Sequence, residues 1–198
     1  MPRATSKIAC TTFLIASLCG GAGSVSAQGG GAQRYTKAVT PLLDAAGGKA
    51  IGSLGPGAAL DVLGQSGGAT QVAVHGWSAQ GADGTVFVAP DRHIAELSRF
   101  TGHAVGGTSQ TVASTVYNAV TIDGWVPDDA LVADVREVWK SADDLYAHSC
   151  GSCHALPAPS SYSANQWPAI MKTQAPNAAL EPNDAALITT YLQNQSGH

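Results

Sequence analysis

Ala147-His148-Ser149-Cys150-Gly151-Ser152-Cys153-His154-Ala155-Leu156-Pro157 contains the last two of four cysteines in a chain of 198 residues, and its reading decides what the C-terminal part folds around. Two cysteines with two residues between them serve as a redox disulfide, half a zinc site or a point of haem attachment, and the next residue separates these uses. Here that residue is His154, which completes Cys-x-x-Cys-His, the attachment signature of haem c. The chemistry needs this spacing. Thiols about one helical turn apart can each bond a porphyrin vinyl group, and the adjacent histidine reaches the iron from the same side. A thioredoxin-like pair expects a βαβ setting that the flanking sequence does not offer, and zinc needs two further ligands at suitable spacing. A disulfide across three residues closes a very tight loop and adds little stability. One covalent haem c is therefore expected, bonded to Cys150 and Cys153 and ligated by His154.

Moving outward, Met171 is the only methionine after Met1 and the candidate sixth ligand of the iron. A thioether raises the reduction potential relative to a second histidine. Its competing role is to fill a gap in a helical core. Trp167 and Tyr162 are expected against the haem or within that core. Three helices are predicted around these residues. Ser141 with Asp144 resembles a capping box and predicts a helix from about Ala142 to the cysteine pair. A second helix is expected to begin near Asn165, because a cap at Asn165 puts Pro168 in the first turn, where its missing N–H costs nothing. A third helix starts around Pro182, with Leu187, Ile188, Tyr191 and Leu192 along one face.

Upstream the punctuation differs. Between Tyr35 and Val135, short apolar runs alternate with turn residues: Ile51 to Leu54 before Gly55-Pro56-Gly57, Leu60 to Leu63 before Gly64 to Gly68, then Gln71 to Trp77, Thr85 to Ala89, Thr111 to Val120 and Trp125-Val126. These are strand signals and predict a small barrel, with Arg92 to Phe100 the one stretch that offers a helical pattern. At the N-terminus, Arg3 and Lys7 precede the apolar Ile8 to Leu18, and Val25-Ser26-Ala27 fits the small-residue rule for signal cleavage. The apolar run is shorter than the ~20 residues needed to span hydrocarbon. The expected organisation is a signal peptide over 1–27, a flexible leader over 28–34, a β module over 35–135 and a haem domain over 136–198, exported to the periplasm with no membrane span after cleavage.

The mature chain would carry eight basic against fourteen acidic side chains and no basic run, which argues against nucleic acid or anionic lipid as partners. Asp128, Asp129 and Asp134 read as a solvated edge or as a surface that steers a basic partner. His148 precedes the thiols on the proximal side. His75, His93, His103 and His198 are read as surface or hydrogen-bonded residues rather than ligands.

Cys150 to Pro159, Tyr162, Ala164-Asn165-Gln166-Trp167-Pro168 and Tyr191-Leu192-Gln193 resemble the C-terminal monohaem domain of the TorC-type cytochromes that serve trimethylamine N-oxide reductase. Ile51-Gly52, Gly76-Trp77 and Asp123-Gly124-Trp125-Val126 resemble the SH3-like module preceding that domain. The resemblance implies an α+β chain: an N-terminal small SH3-like β-barrel module followed by an all-α class I-like cytochrome c domain, without the tetrahaem domain and membrane anchor of the family. It also implies single-electron transfer between redox proteins, with a molybdenum-containing N-oxide or S-oxide reductase as acceptor, and no enzymatic activity. In the related domains a methionine sits seven residues after the tryptophan, a position held here by Gln174. The distal side is thus contested by Met171, Gln174 and an open position, and an open position implies a haem-based sensor or small-gas binder.

Overall fold

A computed structural model describes Met1 and residues 32–82, 84–102 and 104–196, so the signal-peptide reading and most of the leader lie outside the described residues. The strands are β1 (Gln33–Thr36), β2 (Thr40–Leu43), β3 (Ala50–Leu54), β4 (Ala59–Ser66), β5 (Ala69–Ala79), β6 (Thr85–Phe87), β7 (Ala95–Ser98), β8 (Val105–Val112), β9 (Thr115–Pro127) and β10 (Leu131–Val132). Three α-helices follow: α1 (Val135–Cys150), α2 (Trp167–Asn177) and α3 (Pro182–Gln195).

Every strand pairing is antiparallel, and the order β5-β6-β7-β3-β2-β9 closes into a ring because β5 also pairs with β9. That pairing runs unbroken from Ala69↔Pro127 to Ala79↔Tyr117. The other edge of β5 is shared, with β4 along its first half and β6 at Trp77. Closure gives every strand of the ring a neighbour on both sides, while β8 and β10 end the sheet outside the ring. Val120, Ile122 and Val126 of β9 face inward at even spacing and meet Leu42, Leu54, Leu60, Val72, Val74 and Leu97 in an aliphatic core.

The expectation of an SH3-like module followed by an all-α class I-like cytochrome c domain is overturned. Among the described residues the structure is mostly β, with 38% in strands, a closed six-stranded barrel and three α-helices. The reason lies in length. Thr111 to Val120 and Trp125-Val126 read as separate short strands, but they belong to the β8–β9 hairpin, whose long second arm closes the ring. Gly64 likewise lies inside β4, at a register shift, and the turn is confined to Gly67 and Gly68 at φ +60° and +81°. Arg92 to Phe100, the stretch that offered a helical pattern, holds β7, paired with β3 and β6.

The helices begin where side chains and proline permit. α1 starts earlier than the capping-box reading, because Asp134 accepts a 2.9 Å hydrogen bond from Arg136 N and so caps the helix itself. Ser141 lies within the helix and bonds back to the Glu137 carbonyl, and Asp144 pairs with Lys140 one turn earlier. Pro168 and Pro182 both fall in first turns, as expected. α1 rests on the barrel at the β3–β4 turn, where Gly57 has φ +72° and a Cβ would stand 2.3 Å from the Trp139 ring. No helix among the described residues is long and apolar enough to cross a membrane.

Candidate cofactor site

α1 ends on Cys150, and the turn that follows brings Cys153 and His154 to the mouth of a cleft of about 400 Å³. One wall is Tyr146, Ser149 and Cys150 of α1; the opposite wall is Trp167, Ile170, Met171 and Gln174 of α2. Pro157 and Tyr162 close the side between them. All six residues singled out from the sequence, Cys150, Cys153, His154, Tyr162, Trp167 and Met171, thus border one cavity. No Asp, Glu, Lys or Arg lines it.

The two thiols are free, Cys150 half-buried and Cys153 exposed. Burial pushes the Cys150 pKa up, so that thiol stays protonated. His154 is exposed, and its Nδ1 lies 2.8 Å from the Ala155 carbonyl. A carbonyl only accepts, so Nδ1 carries the proton and the lone pair stands on Nε2. Orienting a ligand imidazole through its other nitrogen is what metal sites require.

Two aromatic residues pin the loop beyond His154. Tyr146 donates to the Pro157 carbonyl at 2.9 Å, and Trp167 Nε1 donates to the Pro159 carbonyl at 3.0 Å. Burial raises the Tyr146 pKa, which keeps that hydroxyl a donor. Tyr162 meets Trp167 edge to face, ring centroids 5.0 Å apart. Met171 is 4% exposed and packs with Tyr146, Trp167, Ile188 and Leu192, while Gln174, one turn further along α2, is exposed at the rim. Sequence reasoning missed Tyr146, although it precedes Cys150 by four positions and must share its helix face.

The remaining histidines behave as bystanders. His75 bridges Asp61 and Thr121 across the barrel surface, His93 bonds to the Pro90 carbonyl and Tyr117, and His148 lies on the exposed side of α1. His103 and His198 lie outside the described residues. The acidic edge has local duties: Asp128 accepts from Thr70 and Asp134 caps α1.

Residues 28–131 match the family described as TorC third cytochrome c domain, and residues 146–198 match the family described as dihaem cytochrome c. The motif and both matches define a c-type cytochrome chain, an electron-transfer protein rather than an enzyme. More particularly, the first match covers over half of the sequence, and the chain belongs to the TorC third cytochrome c domain family. Its curated relatives include the cytochrome c-type protein TorY of Escherichia coli O157:H7, 28% identical over 72% of this chain and 40% of the relative. The cytochrome c-type protein TorC of Escherichia coli K12 is 26% identical over 85% of this chain and 45% of the relative. A TorY protein of Haemophilus influenzae is 24% identical over 64% and 36%. The chain spans less than half the length of these relatives. No solved structure matches.

Proposed function

We propose that this chain carries one haem c, bonded to Cys150 and Cys153 and ligated by His154 Nε2, and relays single electrons between redox proteins in the periplasm. The observation that carries the reading is the meeting, at one cleft, of two free thiols, an imidazole with its Nε2 unengaged and an aromatic, uncharged lining. These donors fit the group, since the thiols supply both thioether positions and the apolar walls suit a porphyrin face. The haem supplies a one-electron iron couple. The protein's part is to fix the His154 tautomer through Ala155, to exclude water with Tyr146 and Trp167, and to leave one margin open to a partner.

A single attachment motif supports one haem. Residues 28–131 contain no cysteine, so the barrel brings no thioether of its own to a domain whose family name is cytochrome c. Met171 is the proposed sixth ligand, since it lies on the wall facing the thiols. The acceptor we favour is a molybdenum-containing N-oxide or S-oxide reductase, on the resemblance to TorC-type cytochromes. A second reading, a haem-based sensor or small-gas binder, is favoured by one observation: Met171 is already engaged in the helical core, which leaves the exposed Gln174 beside the sixth position.

Expression with a haem-maturation system tests both. Covalent haem on a peptide containing Cys150 and Cys153 is expected by mass spectrometry, together with a weak far-red charge-transfer band that disappears in Met171→Ala. Rapid carbon monoxide binding to the reduced wild type without ligand displacement would support the open site instead. A chain that acquires no covalent haem would sink both readings.

A further inference from the structure

Both walls of the cleft, α1 with the thiols and α2 with Met171, pack on α3. The turn that leads into α2 is in addition gripped by the barrel. Asn165, expected from sequence to cap this helix, turns its amide on the loop between β6 and β7: Oδ1 accepts from His93 N at 2.8 Å and Nδ2 donates to the Asp91 carbonyl at 2.9 Å. Gln193 on α3 is 4% exposed and donates to the Ala164 carbonyl at 2.9 Å, and the Gln193 carbonyl accepts from Arg92 at 3.1 Å.

That loop is itself held firmly. The His93 ring lies 4.9 Å from Phe87, and its Nε2 is 2.8 Å from the hydroxyl of Tyr117, a buried residue of β9. A continuous path of contacts therefore leads from the barrel through His93 to Asn165, two residues ahead of Trp167. A side-chain amide that satisfies both a backbone N–H and a backbone carbonyl fixes position in two directions, as one peptide pairs with another. A barrel acting only as a spacer would have no use for such bonds.

We propose that Asn165 and Gln193 are positioning residues for the haem site, locking the turn that enters α2 onto the barrel so that the barrel sets the gap between the Met171 wall and the Cys150–His154 wall. This rests on the haem reading above. Losing the lock lets α2 drift from the thiol wall, which weakens the sixth position without touching the attachment chemistry.

The test uses the full-length haem-loaded chain. Asn165→Leu removes both amide bonds, while Asn165→Asp keeps the acceptor for His93 N–H and loses the donor toward Asp91. Asn165→Leu is expected to shift the midpoint potential and to speed carbon monoxide association with the reduced protein by roughly tenfold, a barrier change of about 1.36 kcal/mol. Asn165→Asp should fall between, and Gln193→Leu should resemble Asn165→Leu, all with unchanged covalent haem. Wild-type potential and association rate in haem-loaded Asn165→Leu would overturn the proposal, and so would the same result in Asn165→Asp if the leucine variant fails to fold. Absence of covalent haem from the wild type would overturn the haem reading instead. The lock would then be judged by hydrogen exchange at the His93 amide, where equal protection in wild type and Asn165→Leu overturns it.

Discussion

The barrel and the helical part bury their apolar residues in opposite ways. The barrel core is aliphatic and closed: Leu42, Leu54, Leu60, Val72, Val74, Leu97, Ile122 and Val126 meet around a ring with no gap. The helical core is small and partly aromatic, with Tyr146, Trp167, Met171, Ile188 and Leu192 at its centre and a cleft of about 400 Å³ opening directly beside them. A helical unit of this size sits near the lower limit for folding on one core alone. On the proposed haem reading, the barrel has a complete core of its own, whereas the helices depend on a group the polypeptide does not provide.

The largest expected effect breaks the molecule along that line. Replacing both thiols, Cys150→Ala with Cys153→Ala, is predicted to remove the haem and lower the opening free energy of α1 to α3 by about 3–5 kcal/mol, the cost of deleting a large aromatic group from a core. Hydrogen exchange read by mass spectrometry should show helical peptides losing protection while those from β5 and β9 keep theirs. Equal losses in both regions would mean that the two cores are one cooperative unit.

The same contrast explains what could be read from sequence. The site was legible because its chemistry is local: Cys150, Cys153 and His154 are neighbours in the chain, and Pro168 and Pro182 mark helix starts with little help from tertiary structure. A small barrel was legible in the strand signals, but the pairing that closes it was not. Closure depends on β5 and β9 pairing across a long separation, and no local pattern encodes which strands meet. The start of α1 was missed for a subtler reason. Ser141 and Asp144 satisfy the capping pattern, but inside a helix their side chains find Glu137 and Lys140 instead, and Asp134 takes the cap. Asn165 was assigned a local role as a cap because its real partners, Asp91 and His93, are remote in sequence.

A second, smaller effect separates the regions by pH. On β7, Glu96 accepts from Ala59 N at 3.2 Å within the barrel, and burial pushes its pKa up from 4.5 to about 7. An acid whose pKa is raised on folding stabilises fully below its unfolded value, and the benefit is lost as pH rises through the folded one. Barrel stability should therefore fall between about pH 4.5 and 7 and then level off, by up to about 3 kcal/mol at 1.36 kcal/mol per unit. Asp134 at the start of α1 runs the other way. The Arg136 side chain and backbone N–H hold its pKa below 3.8, so its contribution is present above that value and lost as pH falls further. Urea titrations from pH 4 to 8 should show the fall, and Glu96→Gln should flatten it. A flat wild-type profile over this range would contradict the assignment.

The smallest effect uses backbone strain as a separate handle on each region. Ala113 and Ser114 turn the β8–β9 hairpin at φ 45° and 71°, a conformation that Asn-Gly adopts readily and L-residues with a Cβ resist. Ala179, just past α2, stands at φ 51° where Leu180 N bonds back to the Ala175 carbonyl, the usual place for glycine. Ala113→Asn with Ser114→Gly should stabilise the barrel by about 1 kcal/mol, and Ala179→Gly the helical part by a similar amount, because each relieves strain without altering a buried contact. If the two cores are separate, each gain will appear only in the hydrogen exchange of its own region. Glycine also loosens the unfolded chain, which opposes the gain. A null result at Ala179 would therefore mean that this entropy cancels the relief of strain, whereas a gain that spreads from Ala179 into β5 and β9 would show that the contacts of Asn165 and Gln193 join the cores into one.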